Sequence, residues 1–230
     1  MRIDFHAHIL PGADHGSASV KESLTQLLLL GQAGIDAVVA TPHFYPHHTT
    51  LQTFLERRDR AATALAKVLP ADAPTVYLGA EVTLCEGLHR MQGLEKLAIQ
   101  GTDCILIEMP MHEWNHSLLE TLEAIRYECG LHPVLAHLNR YIPEQVKTMT
   151  AYGYDVQLNA DGIAAFAHKP TRLCLREATV VALGTDLHET DERLVRNFTK
   201  AEQKLGARAQ EIFSRSAALL ASATPLAPIR

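Results

Sequence analysis

The stretch DFHAHILPGADHG, residues 4–16, places three histidines and two aspartates within thirteen positions near the start of the chain. The apolar run RIDFH at residues 2–6 is typical of a first β-strand. His6 and His8 are alternate residues at the end of this strand, so their side chains lie on one face. Such a pair indicates either a polar loop or part of a metal site, because two imidazoles do not complete a coordination sphere. Other ligands elsewhere in the chain are needed to decide.

The composition is typical of a globular protein. The chain has 230 residues, of which 47% are hydrophobic and 20% are charged, and histidine, with thirteen copies, is the one residue type in excess. This length suits a single domain over residues 1–230. The formal net charge is −5, so the chain lacks the general basic field that attracts nucleic acid, and we expect no nucleic-acid partner.

The sequence also lacks the patterns of exported and membrane-inserted proteins. It begins with no signal peptide pattern, and no apolar run reaches the roughly 18 to 20 residues that a membrane span requires. The four cysteines are widely spaced without a CxxC pair, which favours free thiols in a reducing compartment. We therefore expect a cytoplasmic protein without membrane insertion, and the sequence leaves its oligomeric state open.

Apolar runs alternate with helical patterns along the whole chain. The predicted strands are residues 2–6, 36–40, 75–82, 104–109, 132–137, 155–159 and 179–186. The predicted helices are residues 19–34, 51–69, 116–130, 142–153, 191–206 and 207–222. This alternation favours an α/β fold of parallel β/α units, and strands that are apolar on both faces favour a buried sheet or barrel.

Polar residues that can bind metals follow six of the seven predicted strands. They are His6, His8, His43, Glu81, Glu108, His137, Asp186 and His188, whereas the sixth strand ends in Asn159. The carboxyl ends of parallel strands lie on one face of a barrel, so residues far apart in sequence meet there. Burying several carboxylates and imidazoles together is costly without a counter-charge. The set therefore predicts a site for divalent cations.

The order of short motifs along the chain resembles the PHP (polymerase and histidinol phosphatase) superfamily. The motifs are HAH (6–8), ATPH (40–43), GAE (79–81), LIE (106–108), AHLNRY (136–141) and DLH (186–188). Within that superfamily the sequence is most similar to the bacterial capsule-associated tyrosine phosphatases of the CpsB/YwqE type, from residue 3 to about residue 222. The resemblance implies a distorted seven-stranded (β/α)7 barrel with three divalent metal ions at the carboxyl ends of its strands.

The resemblance also implies which side chains bind each of the three ions. They are His6, His8, Glu81 and Asp186 for the first ion, Glu81, Glu108 and His137 for the second, and His15, His43 and His188 for the third. His15 stands where the family usually has an aspartate, and Asp14 is the alternative ligand or a supporting residue. An imidazole at this position favours manganese, iron or zinc over magnesium.

Two arginines match positions that the family links to phosphate binding. Arg140 follows the fifth predicted strand and Arg193 follows the seventh, and a planar guanidinium can bind two phosphate oxygens at once. A surface ion pair is the alternative interpretation of each. His188 is an additional candidate for proton transfer to the leaving group. The sequence contains no Cys-x5-Arg loop, which excludes the cysteine-dependent phosphatase mechanism.

The resemblance implies hydrolysis of a phosphomonoester, most directly removal of phosphate from the tyrosine-rich tail of a polysaccharide-regulating kinase. The partner would then be a phosphotyrosyl protein. A PHP phosphatase of a small phosphomonoester such as histidinol phosphate is the alternative, and a nuclease-like phosphoesterase is disfavoured by the acidic charge balance. An amidohydrolase-type enzyme also begins with HxH, but that class usually has a lysine where this chain has Glu108. A non-catalytic binding protein is the last alternative.

Overall fold

The computed structural model describes residues 1–111, 114–165 and 168–229. Within these ranges the strands are β1 (Ile3–Ala7), β2 (Ala37–Ala40), β3 (His43–Phe44), β4 (Thr75–Leu78), β5 (Glu81–Thr83), β6 (Cys104–Glu108), β7 (His132–Leu135), β8 (Asp155–Asn159) and β9 (Thr179–Gly184). The helices are α1 (Val20–Gln32), α2 (Leu51–Ala66), α3 (His116–Tyr127), α4 (Pro143–Ala151), α5 (Ala160–Ala164), α6 (Lys169–Glu177), α7 (Glu192–Leu205) and α8 (Ala207–Leu219). The third predicted strand is split into β4 and β5, and β3, α5 and α6 are elements that the sequence did not predict.

The described strands pair in parallel and form two sheets, in the orders β1-β2-β4 and β3-β5-β6-β7-β8-β9. The sheets are continuous along the chain, because β2 leads into β3 and β4 leads into β5. A backbone bond from Gly79 N to Ala40 O, 2.9 Å long, connects the two runs at this break. The last run returns to the first, where Asp186 N donates to His6 O at 2.8 Å. Counting β2 with β3 and β4 with β5, seven parallel strand segments, called runs here, form the distorted β/α barrel. The predicted fold class is confirmed.

The strands are buried on both faces, as predicted. In β6, Ile105 and Ile107 pack in a large apolar cluster with helix residues such as Leu122 of α3. Cys104 and Leu106, which alternate with them, belong to a second cluster of strand residues. Each fully buried aliphatic side chain of this kind stabilises the fold by about 1.5 to 3 kcal/mol.

Four of the described helices, α1, α2, α3 and α7, begin at a polar side chain that caps their first turn. Ser19 caps α1, where its Oγ accepts a hydrogen bond from Glu22 N at 3.2 Å, and this agrees with the predicted start of the helix. Asp191 caps α7 by accepting from Arg193 N at 2.7 Å. None of the helices in the described ranges is long and apolar enough to cross a membrane.

An ion pair at the amino ends of β7 and β8 gives the fold a pH-dependent contribution to stability. His132 Nε2 donates to Asp155 Oδ2 at 2.8 Å. This hydrogen bond raises the pKa of His132, and partial burial opposes the rise. A raised histidine pKa means that the folded state favours the protonated form. The contribution is therefore complete below the unfolded pKa of about 6.5 and is lost as the pH rises through the folded value.

We expect the substitution His132→Gln to lower the free energy of unfolding at pH 5.5 by no more than about 1 kcal/mol, because the pair is partly exposed and screened. At pH 9 the loss should be smaller. Urea denaturation at the two pH values measures the difference, with the exposed His47→Gln as the matched control. An equal loss at both pH values would show that packing, and not the ion pair, is responsible.

Candidate metal centre

Glu81, at the start of β5, lies at the centre of the predicted ligands. Its side chain is completely buried. The Oε2 atom lies 3.1 Å from His6 Nε2, 3.3 Å from His8 Nε2 and 3.0 Å from His43 Nδ1. The Oε1 atom lies 2.8 Å from His137 Nε2. One carboxylate thus lies between two groups of side chains.

The first group consists of His6, His8, Glu81 and Asp186, whose ligand atoms come within reach of a common ion. The two imidazole Nε2 atoms of His6 and His8 are 3.2 Å apart, and they lie 3.6 and 3.4 Å from Asp186 Oδ1. Ligand atoms about 2.1 Å from a tetrahedral metal ion are about 3.4 Å from one another. The observed separations therefore match the size of a first-row metal site.

The second group adds a second carboxylate on the other side of Glu81. Glu108, at the end of β6, lies with its Oε1 3.6 Å from His137 Nε2. Its other oxygen, Oε2, accepts a hydrogen bond from Thr83 Oγ1 at 2.9 Å. Glu81, Glu108 and His137 therefore lie together, and Glu81 is shared with the first group; His43 also has a ligand atom within reach of both carboxylates.

The third group contains three imidazoles, those of His8, His43 and His188. The Nε2 atoms of His43 and His188 are 3.3 Å apart. The exposed ring of His15 stacks on both of these residues, with centroid distances of 4.7 Å. His15 therefore lies over this group without placing a nitrogen among the clustered ligand atoms.

Three imidazoles have their Nδ1 atoms fixed by hydrogen-bond acceptors. His8 Nδ1 bonds to Asp14 Oδ2 at 2.7 Å, His6 Nδ1 to Gln157 Oε1 at 3.2 Å, and His188 Nδ1 to the carbonyl oxygen of Asp186 at 3.0 Å. Because these oxygens only accept, each Nδ1 carries a proton, and each Nε2 has its lone pair free when the ring is neutral. Metal-binding histidines typically show this arrangement.

Asp14 supports two of the clustered histidines at once. Its Oδ2 atom accepts from the His8 ring and also from the backbone N of His43, at 2.8 Å. Its Oδ1 accepts from Gly16 N at 2.9 Å. Of the two roles that the sequence left open for Asp14, these contacts match the supporting one.

The electrostatics of the cluster keep Glu81 and Asp186 ionised by lowering the pKa of each carboxyl. Burial opposes the charge of Glu81, but the charge of His6 and a hydrogen bond from His137 outweigh it and hold the pKa of Glu81 well below its usual range. Burial and the charge of His8 lower the pKa of His188 to about 4. Ionised carboxylates and a neutral imidazole are the forms that bind cations at neutral pH.

Unsatisfied atoms at the centre of the cluster provide the test of whether the residues fit metal ions. Among the described residues, Glu81 Oε2 and His43 Nδ1 are buried and form no hydrogen bond, although they lie 3.0 Å apart. A buried ionised oxygen without a partner is costly. Several lone pairs directed at one another are what a cation would satisfy, so the residues present fit bound metal ions.

A chain of amide side chains supports the cluster and was missed by the sequence analysis. Gln157 Oε1 accepts from His137 N at 2.7 Å as well as from the His6 ring, and Gln157 Nε2 donates to Asn159 Oδ1 at 3.1 Å. Asn159 Nδ2 in turn donates to Asp186 Oδ2 at 3.0 Å. The available signal was the spacing of DVQLN, because alternate residues of β8 lie on one face.

The backbone is strained at two of the clustered residues. His137 and Asp186, with φ of 33° and 56°, are the non-glycine residues with positive φ in the described ranges. Such conformations cost of order 1 to 3 kcal/mol and persist where neighbouring contacts enforce them. Two hydrogen bonds enforce these positive φ angles here. One runs from His137 N to Gln157 Oε1 and the other from Asp186 N to His6 O. Left-handed turns thus end β7 and β9 at the cluster.

The two predicted phosphate-binding arginines lie in different surroundings. Arg140 Nη1 donates to Asp186 Oδ2 at 2.9 Å, and half of its side chain is exposed, so its guanidinium lies at the mouth of the cluster. Arg193 donates to Asp191, the cap of its own helix, at 3.3 Å. In the described part of the chain, Arg193 makes no polar contact with the cluster.

Parallel β/α units with clustered histidines and carboxylates at the strand ends define a β/α-barrel protein with a site that can bind metal ions. More particularly, the chain belongs to the CpsB/CapC family of capsular polysaccharide synthesis, whose model matches residues 2–220. It is similar to the tyrosine-protein phosphatase CpsB of Streptococcus pneumoniae, with 27% identity over 237 residues, covering 92% of this chain and 94% of that protein.

The fold has a counterpart among solved structures. The chain superposes with a TM-score of 0.78 on a structure from the work on YwqE of Bacillus subtilis and CpsB of Streptococcus pneumoniae, which are described as unique metal-dependent tyrosine phosphatases. The identity is 22%, and the match covers 99% of each chain. The family resemblance inferred from the sequence motifs is confirmed.

We expect the substitution Gln157→Met to weaken metal binding about 10- to 100-fold, because the His6 ring and the His137 backbone lose a shared acceptor. Isothermal titration with zinc and manganese measures the affinity, and circular dichroism monitors the fold. The exposed Gln52→Met is the matched control. Unchanged affinity in a correctly folded Gln157→Met protein would show that this amide does not position the histidines.

Proposed function

We propose that the protein is a metal-dependent protein-tyrosine phosphatase that acts on a phosphotyrosyl protein of capsule or exopolysaccharide synthesis. The observation that carries the proposal is the Glu81 carboxylate, whose two oxygens face two different ligand groups. A bridging carboxylate holds neighbouring cations close enough to act on one phosphate. Membership of the CpsB/CapC family supports the same activity.

The proposed metal ligands follow the three groups of side chains. His6, His8, Glu81 and Asp186 would bind the first ion, Glu81, Glu108 and His137 the second, and His43 and His188, with His15, the third. His15 would contribute after a rotation of its exposed side chain. Because imidazoles dominate the third group, we propose manganese, iron or zinc rather than magnesium.

Bound divalent ions would supply charge neutralisation for the phosphate and a water of lowered pKa as the nucleophile. Arg140 would bind the phosphate, since its half-exposed guanidinium can exchange Asp186 for phosphate oxygens. Asp186 would keep its bond from Asn159 Nδ2 during this exchange. Arg193 would have to release Asp191 before it could reach a phosphate, so its role stays a prediction.

His188 is better suited to metal binding than to proton transfer. Its Nδ1 proton is held by the carbonyl oxygen of Asp186, and its Nε2 faces His43. A phenolate, whose conjugate acid has a pKa of about 10, leaves more easily than an alkoxide. Hydrolysis of phosphotyrosine therefore requires no dedicated acid from this chain.

Aromatic side chains next to the cluster support an aromatic substrate. The Tyr45 ring stacks on His43 at 5.0 Å, and the Tyr141 ring stacks on His137 at 5.9 Å. Trp114 packs edge-on against Tyr141 at 5.5 Å. Tyr141 is itself buried, so the partly exposed rings of Tyr45 and Trp114 are the surfaces that a phenyl ring could contact, whereas a small polar phosphomonoester would not require them.

We also propose that the reaction takes place in the cytoplasm. A phosphotyrosyl substrate is made by a kinase that uses ATP, and ATP is found in the cytoplasm.

Phosphate release from a phosphotyrosyl peptide and from histidinol phosphate tests the proposal. We expect metal-stripped protein to recover activity with manganese, zinc or iron, and to show a higher kcat/KM for the peptide. His6→Ala should lower both bound metal and activity at least about 100-fold, because a ligand of the first ion is lost. The exposed His116→Ala is the matched control.

Two results would contradict the proposal. Preference for histidinol phosphate would assign the site to a small metabolite. Metal binding without turnover of either substrate would show that the substrate assignment is wrong.

A further inference from the structure

A groove of about 400 Å³ lies between α4 and α6. Four of its lining side chains are positively charged, namely Lys147, Lys169, Arg172 and Arg176, and all four are exposed. Glu144 is the acidic residue that lines it. The groove therefore carries an excess of positive charge in a protein whose formal net charge is −5.

Most of this positive charge is not neutralised within the protein. Arg176 Nη2 donates to Glu177 Oε1 at 2.6 Å. Within the described ranges, the side chains of Lys147, Lys169 and Arg172 form no hydrogen bond or ion pair. Free cations gathered on a concave surface concentrate the local field and attract anions.

The groove begins beside the mouth of the candidate metal centre. Helix α6 is attached to the turn after His137, because Asn139 Nδ2 donates to Thr171 Oγ1 at 3.2 Å. Helix α4 begins at Pro143, three residues after Arg140. Three peptide units span at most about 11 Å, so the guanidinium at the cluster and the start of the groove belong to one short segment.

We propose that this groove binds an acidic segment of the phosphotyrosyl protein substrate, an inference that rests on the proposed function. An extended peptide advances about 3.3 Å per residue, so aspartates or glutamates about three to five positions from the phosphotyrosine would reach the cations. The exposed Ile142 lies between Arg140 and the groove and offers an apolar contact on the way. A concave surface suits peptide side chains better than a flat lipid surface.

Two phosphotyrosyl peptides of equal length test this inference, one with glutamates and the other with glutamines at three to five positions on either side of the tyrosine. We expect wild-type protein to show about tenfold higher kcat/KM for the acidic peptide, mainly through KM, and a smaller preference at high salt. The triple variant Lys147→Gln, Lys169→Gln, Arg172→Gln should bring the ratio close to one. The variant Arg60→Gln, Lys67→Gln, Lys96→Gln loses the same charge elsewhere and should keep the wild-type ratio.

The outcomes separate the groove from the proposed activity. If the wild type hydrolyses the two peptides equally well, the groove does not bind an acidic segment of the substrate, and the phosphatase proposal stays intact. The same two peptides, made with a non-hydrolysable phosphonate analogue of phosphotyrosine, allow binding to be measured without turnover. Fluorescence anisotropy then gives the ratio of the affinities for the acidic and the neutral peptide. If the wild type hydrolyses neither peptide but prefers the acidic analogue, the groove is supported and the activity is not.

A membrane is the competing partner for a basic surface. Two results together would assign the groove to a lipid surface and overturn the proposal. Phosphatidylglycerol vesicles would bind the wild type but not the groove variant, and the wild type would show the same kcat/KM for the acidic and the neutral peptide.

Discussion

The buried carboxylate of Glu81 is the constraint on which the rest of the structure depends. An ionised group without solvent requires compensation from several directions: the His137 ring donates to Oε1, whereas Oε2 faces the rings of His6 and His43, where a cation would complete the compensation. No single segment of chain could place these partners around one point. A ring of parallel strands can, because each strand delivers its last residues to the same face. The fold and the cluster therefore satisfy one electrostatic requirement together.

Shape complementarity around the clustered side chains is as strict as their chemistry. Gly184 ends β9 so close to β1 that a Cβ atom there would lie 2.6 Å from His6 Cβ and 2.6 Å from Gln157 Nε2. Any larger residue would displace the histidine and the amide that supports it. Asn139 extends the support outward by accepting from Asn159 N at 2.9 Å. Ligand, amide and backbone thus form successive layers of fixed geometry.

The sequence predicted the strands and the clustered residues because both depend on local patterns. Apolar runs marked the strands, and the polar residue that follows each run, such as Glu108 or His137, marked the shared face. The break between β4 and β5 was not predictable, since TVYLGAEV is apolar throughout and only the contact of Gly79 with Ala40 defines it. Helix α6 has nine residues, and its apolar residues LCL (173–175) are consecutive, so this run does not distinguish a helix from a strand. The placement of His15 depends on the direction of a loop side chain, which residue order does not specify.

The last and first runs of the barrel are joined by two backbone hydrogen bonds, from Asp186 N to His6 O and from His8 N to Leu187 O. The first ligand group spans this same join, with His6 and His8 on one side and Asp186 on the other. A metal ion bound by all four ligands would hold the two ends of the barrel together, because its ligands come from both ends. A ligand that binds only when the first and last strands are joined stabilises that joined state by its binding free energy. Loss of such an ion and separation of the first and last strands would consequently be two aspects of one equilibrium.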